Sequence, residues 1–299
     1  MEIKQLEIFV CVARTLSFSK AAEEMYISQP TVSAQINALE KALGAGLFVR
    51  NTKEVSLTKT GIDFLTYAQK ILSLRDQAIQ NVSGEDFNIH GAIDIISSTI
   101  PAQFLLPEII ASFQKKYPNI VFRVEQSDSH RVEQEMSSFR YDFGMVGTIP
   151  VNERFDYSSI FEDELVLILP NDTSQENRDI NENFANFIYQ SPFIMREVGS
   201  GTRKEIETLF SKIGIEFSKL KVPAYFSDAH SILLAVSRGM GISLISKVAA
   251  KMYADAGLIR TVEMNNPLFR RQIYLLYNKE LWLSPVQQAF ANYTRQYFE

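Results

Sequence analysis

The chain has 299 residues, of which 46% are hydrophobic and 22% are charged, and its formal net charge is −5. This length predicts two or three domains, and the composition excludes a disordered or fibrous protein. The N-terminus lacks the basic and apolar segments of a signal peptide, and no apolar run is as long as a membrane span, so we expect a cytoplasmic protein without membrane partners. The single cysteine, Cys11, excludes an intrachain disulfide and is interpreted as a core residue.

The first part of the chain predicts a helix-turn-helix. Residues 2–16 carry apolar residues at helical spacing, and residues 18–43 fit a second helix, a tight turn and a third helix. Ser28 stands at the N-cap of the third helix, and Pro30 fits its first turn, where the missing N–H costs little. Such a helix presents hydrogen-bonding side chains to the DNA major groove. The residues of this helix that we assign to DNA binding are Ser28, Gln29, Pro30, Thr31, Ser33 and Gln35.

Two short apolar runs follow at residues 47–50 and 55–57 and predict a β-hairpin wing. Arg50 and Lys53 lie at its tip, where they would reach phosphates or the minor groove beside the third helix. Residues 1–60 contain seven Lys or Arg and six Asp or Glu, a net charge of +1. Charge therefore adds only mild support for a nucleic-acid partner.

A long helix is predicted over residues 59–83, with Thr58 as its cap. Apolar residues step along it by three and four and form two stripes. The first stripe is Phe64, Tyr67, Ile71, Leu74 and Ala78, and the second is Ile62, Leu65, Leu72 and Ile79. One stripe can cover the DNA-binding domain, whereas the other would need a partner, so we expect a homo-oligomer. Packing within the chain is the alternative.

From Gly91 onward, short apolar runs alternate with helix-length segments, which predicts α/β layers with largely parallel sheets. The run from Phe161 to Ile168 indicates a crossing into a second lobe, and Asn265-Asn266-Pro267 indicates the return. We expect an α/β protein with a DNA-binding domain, a linker helix with a hinge, and an effector-binding domain of two lobes. These correspond to residues 1–58, 59–90 and 91–299, with lobe 1 at about 91–161 and 267–299 and lobe 2 at about 162–266.

The segment Arg196–Arg203 carries a second distinctive motif. Two glycines around Ser200 let backbone N–H groups approach a ligand, and the helix that follows adds positive potential. Other hydroxyl side chains follow predicted strands at their C-terminal ends, where open α/β sheets bind ligands. The residues that we assign to a small-anion site are Ser98, Thr99, Ser129, Thr148, Arg196, Ser200, Gly201, Thr202 and Arg203. A helix cap with two surface arginines is the alternative for the motif. The three histidines show no metal-ligand spacing, and neither a metal nor a cofactor is predicted.

With these residues in place, the chain resembles the LysR-type transcriptional regulators over essentially its full length. The N-terminal residues that carry the resemblance are Leu6, Phe9, Ala13, Ser17-Phe18-Ser19, Ala21-Ala22, the run Ser28–Ser33, Ile36, Leu39-Glu40, Leu43-Gly44, Leu47-Phe48, Arg50, Leu57-Thr58 and Gly61. The resemblance implies a winged helix-turn-helix, a dimerising linker helix, and two α/β lobes like those of type II periplasmic binding proteins. It also implies a regulator rather than an enzyme, one that forms tetramers from two kinds of dimer and changes the bend of promoter DNA when a small molecule binds.

The Gly-Ser-Gly-Thr-Arg motif at 199–203 is similar to the branch of this family that governs sulfur assimilation and carbon fixation. That similarity implies small oxyanions or phosphorylated metabolites as effectors. Ala34 stands where the family often has a basic residue, and Ile100 stands where this branch often has a second hydroxyl.

Three alternatives remain at this point: a regulator that senses a larger or uncharged metabolite, a solute-binding protein, and an enzyme with a fused DNA-binding module. A solute-binding protein would lack the helix-turn-helix and the wing. An enzyme would need paired carboxylates, a Cys/His pair or a cofactor loop in the cleft.

Overall fold

The structure is a computed structural model. It describes residues 1–50, 55–83, 91–138, 140–150, 152–172, 177–264 and 266–298. The side chains of residues 50, 77, 80–83 and 177–179 are not among those described.

The N-terminal domain contains three helices and a two-stranded hairpin around one core. The elements are α1 (Ile3–Thr15), α2 (Phe18–Glu24), α3 (Gln29–Leu43), β1 (Phe48–Arg50) and β2 (Val55–Leu57). The Ser17 and Ser28 hydroxyls accept hydrogen bonds from the third residue after each of them and so begin α2 and α3. The core contains Phe9, Val32 and Ile36, each fully buried. The predicted helix-turn-helix and wing are therefore confirmed.

The linker helix α4 (Lys59–Ser83) begins where the Thr58 hydroxyl accepts a 2.9 Å hydrogen bond from the Gly61 N–H. A Cβ on Gly61 would lie 2.1 Å from the Leu47 carbonyl oxygen, so only glycine lets this helix pack so closely on the wing. Leu65 and Ala68 are buried in the N-terminal core. None of the helices in the described ranges is long and apolar enough to cross a membrane.

The effector-binding domain contains nine strands and eight α-helices within the described residues. The strands are β3 (Gly91–Ser98), β4 (Ile120–Ser127), β5 (Phe143–Val146), β6 (Phe155–Pro170), β7 (Met195–Arg196), β8 (Tyr225–Phe226), β9 (Ser243–Ser246), β10 (Ile259–Val262) and β11 (Arg270–Asn278). The helices are α5 (Leu106–Lys116), α6 (Ser129–Met136), α7 (Asn177–Glu182), α8 (Phe184–Gln190), α9 (Gly201–Lys212), α10 (Ala229–Ser237), α11 (Lys247–Asp255) and α12 (Pro285–Gln296). A π-helical turn over Pro101–Leu105 leads into α5.

The sheet is mixed, and the expectation of largely parallel sheets is wrong. Strand order is β10-β6-β11-β5-β3-β4, and β9 also pairs with β6. Within this sheet, β3 runs parallel to β4 and to β5, whereas β6 runs antiparallel to β9, β10 and β11. The cause is β6, which pairs with β11 through Glu164 and with β9 from Leu165 onward, so one strand runs from lobe 1 into lobe 2. The strands that pair with β6 run in the opposite direction to it, which makes these pairs antiparallel.

Each lobe has its own apolar core, built largely from aromatic side chains. In lobe 1 the Phe290 ring packs against the rings of Phe113 and Phe143, with centroids 5.3 and 5.5 Å apart. In lobe 2 the Phe210 ring packs against Phe184 and Phe193 at 6.5 and 5.6 Å. Ile100 of lobe 1 is buried among residues of lobe 2 such as Val166 and Ile194, so apolar contacts also join the two lobes.

Candidate DNA-binding surface and effector cavity

The predicted DNA-reading residues lie on the outward side of α3. Val32, Ile36 and Leu39 are buried on its inner side. Ser28, Gln29, Pro30 and Thr31 are exposed, and Ser33 and Gln35 are half-buried. The Gln29 amide donates a 3.0 Å hydrogen bond to the Ser33 hydroxyl, and the Ser28 and Thr31 hydroxyls lie 2.7 Å apart. Side-chain donors and acceptors are thus gathered at the N-terminal end of α3, the end that enters the major groove in helix-turn-helix proteins.

The structure describes only part of the predicted wing residues Arg50 and Lys53. Arg50 ends β1, opposite Val55 of β2, but its side chain is not described. Lys53 lies outside the described residues. Their proposed contacts with DNA therefore rest on the sequence.

A small cavity lies between the two lobes, at the C-terminal ends of β3 and β5 and at the N-termini of α6 and α9. Its volume is about 20 Å³, close to the space that one ordered water occupies. Seven of the predicted effector residues line it: Ser98, Thr99, Ser129, Arg196, Ser200, Gly201 and Thr202. The lobes are therefore closed on one another in this structure.

Gly201 lies close to lobe 1. A Cβ at this position would lie 2.5 Å from the Ser129 hydroxyl oxygen and 3.5 Å from Thr148 Cγ2. A side chain at this position would displace the Ser129 hydroxyl, which lines the cavity. Thr148 is buried in the layer behind the cavity, beside Gly201 and not among the lining residues.

The helix α9 begins inside the motif, at Gly201. Its N-cap is Ser200, whose hydroxyl oxygen accepts a hydrogen bond from the Arg203 N–H. Because Gly201 and Thr202 belong to the first turn, their N–H groups face the cavity end of the helix and lack intrahelical partners. This places the positive end of the helix dipole at the cavity.

Arg196 links the two lobes and is only 4% exposed, so the alternative of a surface arginine is wrong for this residue. Its Nη2 donates to the Thr99 hydroxyl of lobe 1 at 3.2 Å and to the Ser227 carbonyl at 3.0 Å. Its Nε lies 2.9 Å from the Glu197 carboxylate. The guanidinium is therefore held in place by neutral and anionic partners on both sides.

Asp228, the N-cap of α10, lies near this arginine. Burial raises the pKa of the Asp228 carboxyl, but hydrogen bonds from the Ser231 N–H and hydroxyl and the charge of Arg196 outweigh it and lower the pKa overall. The carboxylate form is thus stabilised behind the cavity.

Arg203 does not contribute to the cavity, contrary to the prediction. Its Nε donates to Glu207 one helical turn further on at 2.8 Å, and its Nη1 donates to the Arg196 carbonyl at 3.3 Å. The guanidinium also lies over the rings of Phe217 and Tyr225, at 5.6 and 5.4 Å. These contacts hold it on the far side of α9, where it supports the motif from outside.

Arg271 is a cavity residue that the sequence did not reveal. It is 7% exposed, lines the cavity, and donates from Nη1 to the Thr202 hydroxyl at 3.1 Å. Its partner is the buried Asp163 of β6. The one available signal was an arginine at an inward position of the strand Arg270–Asn278, and its carboxylate partner is 108 residues away in the chain.

His230 is exposed, and its ring lies 5.7 Å from that of Tyr253. In the part of the chain that the structure describes, no group of three or more His, Cys, Asp or Glu side chains is arranged to hold a metal ion.

Comparison with known proteins agrees with this architecture. The LysR substrate binding domain matches residues 88–299, and the bacterial regulatory helix-turn-helix protein, lysR family, matches residues 3–62. An uncharacterized HTH-type transcriptional regulator of Methanocaldococcus jannaschii is 34% identical over 275 residues, which is 92% of each chain. A RuBisCO operon transcriptional regulator of Allochromatium vinosum is 30% identical over 98% of this chain and 95% of its own.

Among solved structures, a full-length OxyR variant from Pseudomonas aeruginosa superposes with a TM-score of 0.71 over 99% of this chain and 98% of that one, at 19% identity. This likeness shows a common fold. The two family matches together cover almost the whole chain, and their members are transcriptional regulators with an effector-binding domain rather than enzymes. The chain therefore belongs to the LysR family of transcriptional regulators.

Proposed function

We propose that this regulator binds promoter DNA through α3 and the wing, and that a small anion held between the two lobes controls this binding. The observation that carries the effector proposal is the convergence of buried hydroxyl groups, two arginines and a helix N-terminus on one cavity. The runner-up is the same regulator class with a larger or uncharged effector.

The DNA proposal rests on the chemistry of the exposed end of α3. Gln29 can contact an adenine edge, and hydroxyls such as that of Thr31 can donate to or accept from any base. Arg50 and Lys53 would neutralise phosphates beside the groove. The full proposed set is Ser28, Gln29, Pro30, Thr31, Ser33, Gln35, Arg50 and Lys53.

The anion proposal rests on the donors that face the cavity. Arg196 and Arg271 are always charged, and the hydroxyls of Ser98, Thr99 and Ser129 are buried donors. An oxyanion at the start of α9 would also meet the free N–H groups of its first turn. Thr148, beside Gly201, and the hydroxyls of Ser200 and Thr202 complete the proposed site, and Arg203 supports it from outside.

The size of the cavity favours a small effector. At about 20 Å³ the closed cleft holds little more than one water, so an ion such as sulfate or phosphate would require only a slight opening of the lobes. A phosphorylated sugar would require a wider opening of the lobes. The similarity to a RuBisCO operon regulator supports including phosphorylated metabolites among the candidates.

The linker helix supports a homo-oligomer. Tyr67 and Leu74 of the first apolar stripe are each 63% exposed, and Ile79 is 59% exposed. Leu65 of the second stripe is buried in the N-terminal core. Phe64 and Ile71 of the first stripe pack against that core as well, so each stripe is partly used within the chain. The apolar residues that stay exposed, Tyr67 and Leu74 above all, offer a seam for a second copy, from which a dimer or tetramer would form.

Control would follow from linkage between the two sites. An effector that binds one arrangement of the lobes more tightly shifts the population toward that arrangement. The free energy of that preference sets how strongly DNA binding changes, because the coupling is reciprocal.

A thermal-shift panel tests the effector proposal on the full-length protein. The ligands are sulfate, sulfite, thiosulfate, phosphate, 3-phosphoglycerate, O-acetylserine, NADPH and simple carboxylates. A ligand at a hundred times its Kd stabilises the bound state by about 2.7 kcal/mol, which raises the Tm by roughly 4 to 6 °C in a protein of this size. We expect a small oxyanion to give this shift.

Arg196→Ala and Arg203→Ala form a matched pair for this test. Both remove one arginine from the same motif, but only Arg196 lines the cavity. The anion shift is expected to vanish in Arg196→Ala and to persist in Arg203→Ala. A full shift in Arg196→Ala contradicts the proposed site, and a response only to uncharged ligands favours the runner-up.

A further inference from the structure

Tyr26 stands out in the turn between α2 and α3 because its side chain is 95% exposed. Its backbone has a φ of 55°, in the left-handed region that favours glycine. Within the described residues, Leu16 is the other non-glycine residue with a positive φ, and its side chain is half-buried. Tyr26 therefore has both a strained backbone and an aromatic ring that is exposed to water.

The strain has an identifiable origin in the way α2 ends. The Ile27 N–H donates to the Ala22 carbonyl at 3.0 Å, and the Tyr26 N–H donates to the Glu23 carbonyl at 3.2 Å. These two bonds form a Schellman motif, whose left-handed residue is usually glycine. At the end of α3 the same kind of position is taken by Gly44, with a φ of 67°. Folding alone would thus favour glycine at position 26 as well.

Nothing in the domain core explains a tyrosine here. The ring is not part of the buried cluster that contains its neighbours Met25 and Ile27. A large exposed ring in a sterically unfavourable conformation is an outlier of the kind that occurs at functional sites. The function of this domain is DNA binding, so the ring should serve that function.

The position of the turn indicates what the ring would contact. Tyr26 is three residues before Gln29, so their Cα atoms lie within roughly 11 Å of one another. In helix-turn-helix proteins the second helix enters the major groove while the first crosses the DNA backbone, and the turn lies between them. A side chain projecting from the turn therefore meets the phosphates at the edge of the groove.

We propose that Tyr26 contacts DNA directly, its phenolic hydroxyl donating a hydrogen bond to a backbone phosphate beside the major groove. A phenol is a hydrogen-bond donor, and bonds to charged acceptors are the stronger kind. The contact orients α3 and reads no base. This inference rests on the proposed DNA-binding role of α3.

The test uses the full-length protein and a duplex that the wild type selects from a random-sequence library. Affinity is measured over a series of salt concentrations, and stability by urea unfolding, for Tyr26→Phe, Tyr26→Gly, Gln29→Ala and Leu16→Gly. Leu16→Gly is the matched backbone control, because it relieves the same kind of conformation at the other turn of this domain, between α1 and α2.

We expect Tyr26→Phe to weaken binding by about tenfold at every salt concentration, since a lost hydrogen bond to a charged group has that effect. The slope of log K against log salt should not change, because no cation is removed. Tyr26→Gly should lose at least as much affinity while its stability is unchanged or higher, and Leu16→Gly should keep its affinity for DNA.

Three results would overturn the inference. Wild-type affinity in both Tyr26 variants with a loss in Gln29→Ala rejects the role of Tyr26 and leaves the α3 surface standing. A loss in Tyr26→Gly but not in Tyr26→Phe rejects the hydroxyl–phosphate bond. Wild-type affinity in all Tyr26 and Gln29 variants rejects the α3 surface itself, and with it this inference.

Discussion

Arg271 and Asp163 form a buried ion pair directly beside the effector cavity. Arg271 Nε and Nη2 lie 2.9 and 2.8 Å from Asp163 Oδ2, and Asp163 Oδ1 accepts a 2.7 Å hydrogen bond from the Ser246 hydroxyl. The remaining guanidinium nitrogen, Nη1, reaches Thr202 at the start of α9. Three strands and one helix are thus held together around a single charge pair.

Removing one partner of this pair should destabilise the protein strongly. We expect Asp163→Ala to lower the free energy of unfolding by about 3 to 5 kcal/mol, because it leaves the Arg271 charge buried without its counter-ion. Urea unfolding followed by tryptophan fluorescence and circular dichroism measures this loss. The double variant Asp163→Leu/Arg271→Met should recover much of it, and a double variant as unstable as Asp163→Ala would show that charge is not the cause.

The exposed apolar residues Tyr67 and Leu74 of α4 should control self-association. We expect Leu74→Asp to weaken it by about a hundredfold or more, because a carboxylate would be buried in the seam. Sedimentation velocity over a range of concentrations measures the change. Thr60→Asp adds the same charge at an exposed polar position of the same helix and should associate like the wild type. Unchanged association of Leu74→Asp would mean that the seam is not the interface.

Asp142 should make stability depend on pH. Burial raises its carboxyl pKa to about 7; the Asp94 N–H and the charges of Arg14 and Arg123 lower the pKa, while the Asp94 carboxylate raises it further. The folded state therefore holds a proton that the unfolded state has lost, and stability falls as pH rises from about 4 to 7.

Asp142→Asn keeps an acceptor for the Asp94 N–H but carries no charge. We expect it to be more stable than the wild type at pH 8 by roughly 1 to 3 kcal/mol, with the difference shrinking toward pH 4. Denaturant unfolding at several pH values measures this. A difference that does not change with pH would contradict the assignment.

The wing and α3 should affect DNA binding in different ways. Arg50→Ala is expected to weaken binding to all sequences and to reduce the slope of log K against log salt by about 0.9 for each phosphate that the arginine neutralises. Gln29→Ala should leave the slope unchanged and cost about 1 to 3 kcal/mol of discrimination at one base pair. Fluorescence anisotropy with selected and random duplexes separates the two effects, and identical behaviour of the two variants would contradict these roles.

The N-terminal domain was predictable because its signals are local. Ser17, Ser28 and Thr58 each begin a helix by accepting a hydrogen bond from a residue three positions further on, and Gly44 ends one. Serine, threonine and glycine at such positions indicate directly in the sequence where a helix begins or ends. The elements of this domain were accordingly placed within one or two residues.

The effector-binding domain was less predictable because its determinants are distant in the chain. The strand β10 is not evident from the sequence, because the polar pair Arg260-Thr261 interrupts its apolar residues. In the first half of β6 the consecutive residues Asp156 and Tyr157 are both exposed, so this segment resembles a loop in the sequence. The cavity hydroxyls were found because they follow strand ends, whereas Arg271 depends on a partner that no local pattern reveals.

The continuity of β6 limits how the two lobes can move. Its residues 155–164 pair with β11, and its residues 165–170 pair with β9 and β10, so the connection between lobes is hydrogen-bonded along its length. Lobes joined by loops can swing through large angles, but a paired strand bends and twists only slightly without losing ladder bonds. Effector binding should therefore produce a rotation of a few degrees, and it is the length of α4 that would turn so small a rotation into a displacement of the DNA-binding domain.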